Sequence, residues 1–239
     1  MLPQIKFKSL SLYQDGADID DMLQAAKDPM VAGFTTNPTL MAKAGITDYE
    51  KFARTAIGAI PDKPVSFEVF SDNFDEMERE ARIIKSWGGK TYVKIPVMNT
   101  RGESSVPLIK KLSAEGIPLN VTAIFSSKQI EDVSLALSPG VDAIISIFAG
   151  RIADTGIDPM PIMKNAVELT KGMPEQLILW ASPRELLNVF QADECGCQII
   201  TATSDILKKL SSVGKDLEEF SQETVQMFYN DATSAGFKL

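Results

Sequence analysis

The chain has 239 residues, 44% of them hydrophobic and 23% charged, an ordinary globular mix with ample material for a core. A net charge of -8 argues against a sequence-independent grip on nucleic acid or an anionic membrane, so any phosphate must be held locally by a few arginines. Histidine is absent, which removes Ser-His-Asp and Cys-His catalysis, imidazole metal sites and histidine bases, and leaves Lys, Asp, Glu, Tyr, Thr and water for any chemistry.

Cys195 and Cys197 are separated by one glycine, so short a loop that a mutual disulfide is disfavoured, and there is no second pair to complete a zinc site. They read as free buried thiols in a reducing compartment. Met1 to Leu10 lack a basic stretch followed by an apolar one, and no apolar run reaches about 18 residues. The expectation is a cytoplasmic protein with no membrane partner.

Eight short apolar runs recur along the chain: Phe7 to Tyr13, Val31 to Thr35, Val65 to Phe70, Thr91 to Pro96, Pro118 to Phe125, Ala143 to Phe148, Leu177 to Trp180 and Gln198 to Thr201. Stretches of helical period follow them: Asp18 to Lys27, Pro38 to Ile60 with a break, Asn73 to Trp87, Glu103 to Glu115, Ser127 to Leu137, Met160 to Lys171, Pro183 to Glu194 and Ser204 to Val213. Ser182 before Pro183 reads as an N-cap followed by a proline at the first helical position. The first strand, Lys6 to Tyr13, is unusually polar for a barrel.

Eight strand-helix units predict the α/β class and a single (β/α)8 TIM barrel over residues 1–239, with an added C-terminal helix and tail at about 216–239. A doubly wound open sheet is the alternative, but no Gly-x-Gly-x-x-Gly follows the first strand. On the extra helix, Met227, Phe228 and Tyr229 are expected to pack against the barrel or a neighbouring subunit.

Thr91-Tyr92-Val93-Lys94-Ile95-Pro96 places one lysine in the middle of a strand. Apolar neighbours strip hydration from an ammonium and favour the free amine, which makes Lys94 a candidate Schiff-base nucleophile. In a barrel the strand C-termini converge on one mouth. The polar residues at those ends are Asp15; Thr35, Thr36 and Asn37; Glu68; Lys94; Asn120 and Thr122; Ser146 and Arg151; Ser182 and Arg184. An amine, two carboxylates and a hydroxyl suffice for imine formation, water activation and proton transfer. Arg151 and Arg184 add a fork-like anion site suited to phosphate, so a sugar phosphate is the expected ligand.

Four stretches, Ala32 to Leu40, Val93 to Pro96, Gly116 to Thr122 and Ile145 to Ile152, taken in order and in register with the strands, resemble the transaldolase family. The resemblance implies an aldolase-type barrel that works without metal or organic cofactor. Its fourth-strand lysine, here Lys94, forms a Schiff base with a ketose phosphate. It further implies that Asp15 shuttles protons at the sugar hydroxyl, that Glu68 and Thr122 hold a mediating water, and that Asn37, Asn120 and Ser146 bind the dihydroxyacetone unit. Arg151, Ser182 and Arg184 resemble the phosphate-holding positions.

The related fructose 6-phosphate aldolases carry glutamine at the position of Glu68 and tyrosine at that of Phe148. Without that phenol the enamine is slow to be protonated, which favours transfer to an aldehyde over release. The resemblance therefore implies a transaldolase of the non-oxidative pentose phosphate pathway. An aldolase releasing free dihydroxyacetone, or an inactive sugar-phosphate-binding barrel, are the alternatives. Small members of the family often assemble into pentamer-based rings, so a homo-oligomer is expected.

Overall fold

In the computed structural model, residues 5–238 are described; residues 1–4 and Leu239, the ends of the expected domain, lie outside them. Eight parallel strands alternate with helices: β1 (Ser11–Asp15), α1 (Ile19–Ala26), β2 (Val31–Thr35), α2 (Pro38–Lys43), α3 (Tyr49–Ala59), β3 (Val65–Glu68), α4 (Phe74–Ser86), β4 (Thr91–Pro96), α5 (Val106–Ala114) and β5 (Leu119–Ile124). They continue through α6 (Ser127–Ala136), β6 (Ala143–Ile147), α7 (Ala149–Ala153), α8 (Met160–Leu169), β7 (Gln176–Trp180), α9 (Leu187–Cys195), β8 (Ile199–Ala202) and α10 (Ser204–Lys208). A short 3-10 turn, Lys209–Ser212, precedes α11 (Leu217–Ser234). Each strand pairs with the next and β8 pairs with β1, which closes the sheet into the (β/α)8 barrel the sequence predicts.

Closure leaves no open edge, and the strand side chains are buried on both faces, as in Ala143–Ile147, where all five residues are buried. Within the barrel unit, each of the helices α1 to α9 buries apolar residues. On α4 the stripe is Met77, Ala81 and Ile84, spaced by four and three residues, and seven of the other ten residues are charged. Asp18, Asn37, Asp48, Asn73 and Ser126 cap helix N-termini with side-chain oxygens, which fixes where each helix turns back along the barrel.

The interior is packed. Tyr13, Ile144, Leu179 and Ile199 cluster inside, and a Cβ on Gly33 would meet the Tyr13 ring at 2.5 Å, so glycine there makes room for the ring. This cluster fills part of the barrel interior and reaches, through Ala181 and Phe148, the cavity at the C-terminal end. Cys195 and Cys197 are free and buried, and burial pushes the Cys195 thiol up to about 11.

The described residues group into two compact units, Phe7–Leu207 with the barrel and a smaller one containing α11. Asp216 caps α11, and Met227, Phe228 and Tyr229 stand exposed on it. Among the described residues no helix is long and apolar enough to cross a membrane.

The structure departs from the sequence reading at three places. The first strand begins at Ser11, not at Lys6 or Phe7; Phe7 packs on Phe190 at 6.1 Å and the Lys8 amide donates to Asp193, so this lead-in is engaged by α9 and not by a strand. The ninth helix begins at Leu187, so Ser182 and Pro183 are not its N-cap and first residue. The amides of Arg184 and Glu185 instead donate to Asn188 Oδ1, at 2.7 and 3.2 Å, in a turn before the helix. Finally α7, only five residues long, follows β6 in a stretch to which the sequence reading assigned no element.

Candidate active site

Neighbouring strands lie in register across the mouth. Glu68 on β3 is opposite Lys94 on β4, and Lys94 is opposite Asn120 on β5. Asp15, the last residue of β1, is opposite Thr35. Register partners in a parallel sheet point the same way, so both rows project into the barrel.

Lys94 is 7% exposed, and its Nζ lies 3.0 Å from Glu68 Oε2 and 3.1 Å from the Thr36 carbonyl oxygen, to which it donates. The amine is thus paired directly with one acid. Behind Glu68, the Tyr49 hydroxyl donates to the Glu68 carbonyl at 3.0 Å and anchors the end of β3.

Asp15 faces the same cavity. Burial raises its pKa above the ordinary carboxylate value; the Lys94 charge and hydrogen bonds from Thr35 and Asn37 pull it back without cancelling the rise. Thr35 Oγ1 donates to Asp15 Oδ1 at 2.8 Å. Asn37 has two tasks, since its Oδ1 accepts the Leu40 amide at 3.0 Å to cap α2, which turns its Nδ2 toward both Asp15 oxygens at 3.3 and 3.4 Å.

On the other side, Ser146 Oγ donates to Asn120 Oδ1 at 2.6 Å, and Asn120 Nδ2 donates to Ser66 Oγ at 3.0 Å. Thr122 Oγ1 is buried and has no hydrogen-bond partner among the described residues, so a buried hydroxyl is left for a bound group. Next to it the ladder slips between Val121 and Ile124 around Ala123, which has a φ of 59°. The bulge belongs to the class of backbone distortion found beside active sites, where it re-aims neighbouring side chains.

At the rim, the Arg151 guanidinium lies over the Phe148 ring, 5.4 Å from its centroid, and Phe148 packs on Phe125 at 5.8 Å. Arg184 forms a two-point ion pair with Asp154, its Nε 3.1 Å from Oδ1 and its Nη2 on Oδ2. Ser182 has a φ of 58°, and a Cβ on Gly150 would lie 1.6 Å from the Ser182 carbonyl oxygen. Only glycine lets α7 approach the β7 loop this closely.

Of the thirteen residues singled out from the sequence, twelve, Asp15, Thr35, Asn37, Glu68, Lys94, Asn120, Thr122, Ser146, Phe148, Arg151, Ser182 and Arg184, line one cavity of about 430 Å³ at the C-terminal mouth, whereas Thr36 is buried outside that lining with its Oγ1 donating to the Ser66 carbonyl at 2.9 Å. That size falls within the usual range for a small-molecule site. The sequence reading missed Ser66 and Thr201. Both are polar residues on inward-facing strand positions, and Thr201 could have been found because it closes the last apolar run.

The family described as Transaldolase/Fructose-6-phosphate aldolase matches residues 12–239. The chain belongs to that transaldolase/fructose 6-phosphate aldolase family. Among its members, a protein named probable transaldolase from Dehalococcoides mccartyi is 34% identical over 203 residues, covering 84% of this chain and 90% of its own. Another, probable transaldolase 2 from Listeria monocytogenes, is 33% identical over 226 residues, covering 90% and 99%.

Solved structures give the fold of this family member a wider setting. A 4-hydroxy-tetrahydrodipicolinate synthase from Methylacidiphilum fumariolicum superposes with a TM-score of 0.58 at 11% identity, covering 87% of this chain and 72% of that one. An aldolase/citrate lyase family protein from Burkholderia cenocepacia also gives 0.58 at 11% identity, covering 88% and 94%. At such identities the likeness concerns the barrel alone.

Proposed function

We propose that this protein is a transaldolase that carries a dihydroxyacetone unit from sedoheptulose 7-phosphate, or fructose 6-phosphate, to an aldose phosphate through a Schiff base on Lys94. The observation that carries this reading is the buried Lys94 amine, 3.0 Å from Glu68, in the cavity that Asp15 also lines. Glu68 takes the ammonium proton and the free amine attacks the ketose C2. A water held by Glu68 and the partnerless Thr122 hydroxyl relays protons as the carbinolamine loses its oxygen as water and the imine forms.

Asp15 as carboxylate then accepts the proton of the C4 hydroxyl. The C3–C4 bond breaks, its electron pair moves into the iminium to give an enamine, and the aldose phosphate leaves. When an acceptor aldehyde arrives, C3 of the enamine attacks it and the new alkoxide takes the proton back from Asp15. Water then hydrolyses the imine and frees Lys94. Asn37, Asn120 and Ser146 would orient the three-carbon unit by hydrogen bonds, and Thr35 would hold Asp15. Arg151, Ser182 and Arg184 would hold the phosphate at the rim; phosphate binding asks Arg184 to share or leave Asp154.

Phe148 favours transfer over release, because a hydrocarbon ring packed against Phe125 offers the enamine no proton. Borohydride reduction in the presence of fructose 6-phosphate tests the covalent step. An adduct of dihydroxyacetone mass on Lys94 supports it, and a protein that binds the sugar phosphate without being trapped would be the inactive barrel. Fructose 6-phosphate cleavage that proceeds as fast without acceptor aldehyde as with it would instead favour the aldolase reading.

A further inference from the structure

Thr201 has no part in the scheme above. It sits on β8, is 6% exposed, and lines the cavity. Its Oγ1 lies 2.5 Å from Thr35 Oγ1, which lies 2.8 Å from Asp15 Oδ1. β1 lies between β2 and β8 in the barrel, so the two strands that flank Asp15 each supply one hydroxyl to a three-oxygen chain ending on its carboxylate.

The direction of this chain follows from counting protons. An ionised carboxylate only accepts, and a threonine hydroxyl has a single proton to give. Thr35 therefore gives its proton to Asp15 Oδ1, and the contact with Thr201 can be a hydrogen bond only if Thr201 is the donor. Were Thr35 to donate to Thr201 instead, two acceptor oxygens would face each other at 2.8 Å on the Asp15 side. The Asn37 amide, at 3.3 and 3.4 Å, does not distinguish the two carboxylate oxygens.

We propose that Thr201 is a positioning residue for Asp15: by donating to Thr35 it commits the only proton of Thr35 to Oδ1, and so leaves Oδ2 as the oxygen that exchanges protons with the substrate. The inference rests on the proposed role of Asp15. The groups that bear on the Asp15 charge are Lys94 from β4, paired with Glu68 from β3, together with Thr35 from β2 and Asn37 at the start of α2. Thr201 adds no charge and acts only through Thr35.

The test uses the full chain with Thr201→Val, which keeps shape and removes the hydroxyl, and Thr201→Ser, which restores it. Loss of one donor from the relay should lower kcat roughly three- to tenfold, the size of one neutral hydrogen bond, with KM nearly unchanged. It should also move the acid limb of the kcat profile to higher pH, since the Asp15 carboxylate is less well held and takes up its proton more readily. Thr201→Ser should restore both the rate and the limb.

An unshifted acid limb with a normal kcat in Thr201→Val overturns the proposal. So does a serine variant as impaired as the valine one, which would show that the methyl group packs and the hydroxyl does nothing. If Thr201→Val does not fold, Thr201→Ala is put to the same profile and judged by the same outcomes. Borohydride trapping separates the two levels of the argument. Wild-type protein that forms no Lys94 adduct sinks the proposed function, whereas normal trapping with an unchanged Thr201→Val profile sinks this inference alone.

Discussion

Replacing Lys94 by methionine removes the charge but keeps most of the volume, so the consequences for chemistry and for stability can be separated. In the native protein the Lys94 and Glu68 side chains are 9% and 17% exposed and their charged atoms lie 3.0 Å apart. Truncating one member of a fully buried pair costs about 3–5 kcal/mol, because the partner is left charged without compensation. Glu68 keeps some access to the cavity and can take up a proton or recruit water, so we expect about 2–3 kcal/mol here, below the range for a fully buried pair. For a chain of this length that is a fall in melting temperature of roughly 5–10 °C. Turnover should vanish completely, since Lys94 supplies the only amine among the described residues that line the cavity.

The decisive addition is Glu68→Gln in the Lys94→Met background. It removes the stranded carboxylate and should recover most of the lost stability while activity stays absent. Calorimetric melting of wild type, both single variants and the double variant gives the pairwise coupling, and a coupled transfer assay gives the rate. Measurable turnover in Lys94→Met, or a double variant no more stable than Lys94→Met alone, would refute the reasoning.

Asp15→Asn should melt higher than wild type at neutral pH while losing turnover. Burial raises the Asp15 pKa, so what Asp15 contributes to stability is present below the ordinary carboxylate pKa and is lost as pH rises through the raised value. The gain from asparagine should therefore grow with pH through that window, and a stability difference that does not vary with pH contradicts the sign. Gly150→Ala forces a Cβ to within 1.6 Å of the Ser182 carbonyl oxygen, so the β7 loop must shift; KM for phosphorylated substrates should rise and stability should fall by about 1–3 kcal/mol. Unchanged values for both would mean the loop moves freely. Phe148→Tyr places a phenol at the cavity wall and should raise the ratio of ketose cleavage without acceptor to transfer; a constant ratio in side-by-side assays removes Phe148 as the determinant.

Much of this architecture could be read before any coordinates. The apolar runs had the length of strands, glycines and capping residues punctuated them, and the rule that polar strand ends gather at one mouth brought the candidate residues to one cavity. What stayed illegible was local and non-periodic. A five-residue helix such as Ala149–Ala153 completes little more than one turn and leaves no repeat to detect. The Ser182-Pro183 pair carries the chemistry of a helix start, yet the β7 loop uses Ser182 in a left-handed conformation and lets Asn188 organise the turn, a tertiary choice that outweighs local preference. The polar first strand misled at its start because Phe7 and Lys8 find partners on α9. Thr201 was passed over because one threonine at the end of an apolar run looks like β propensity until a second hydroxyl is found opposite it.

The register of β3, β4 and β5 has a consequence for how such a protein can diversify. Glu68, Lys94 and Asn120 are successive rungs of one hydrogen-bonded ladder, so their spacing is inherited from the ladder itself, about 4.8 Å per step. Nothing short of slipping a strand, which would turn its whole side-chain set over, can pull amine and acid apart. Residues such as Arg151 and Arg184 hang from connections that carry no such constraint. New ligand preferences can therefore be explored by rewriting the rim while the inner row is copied unchanged, and an engineer seeking a different ligand should begin at the loops after β6 and β7.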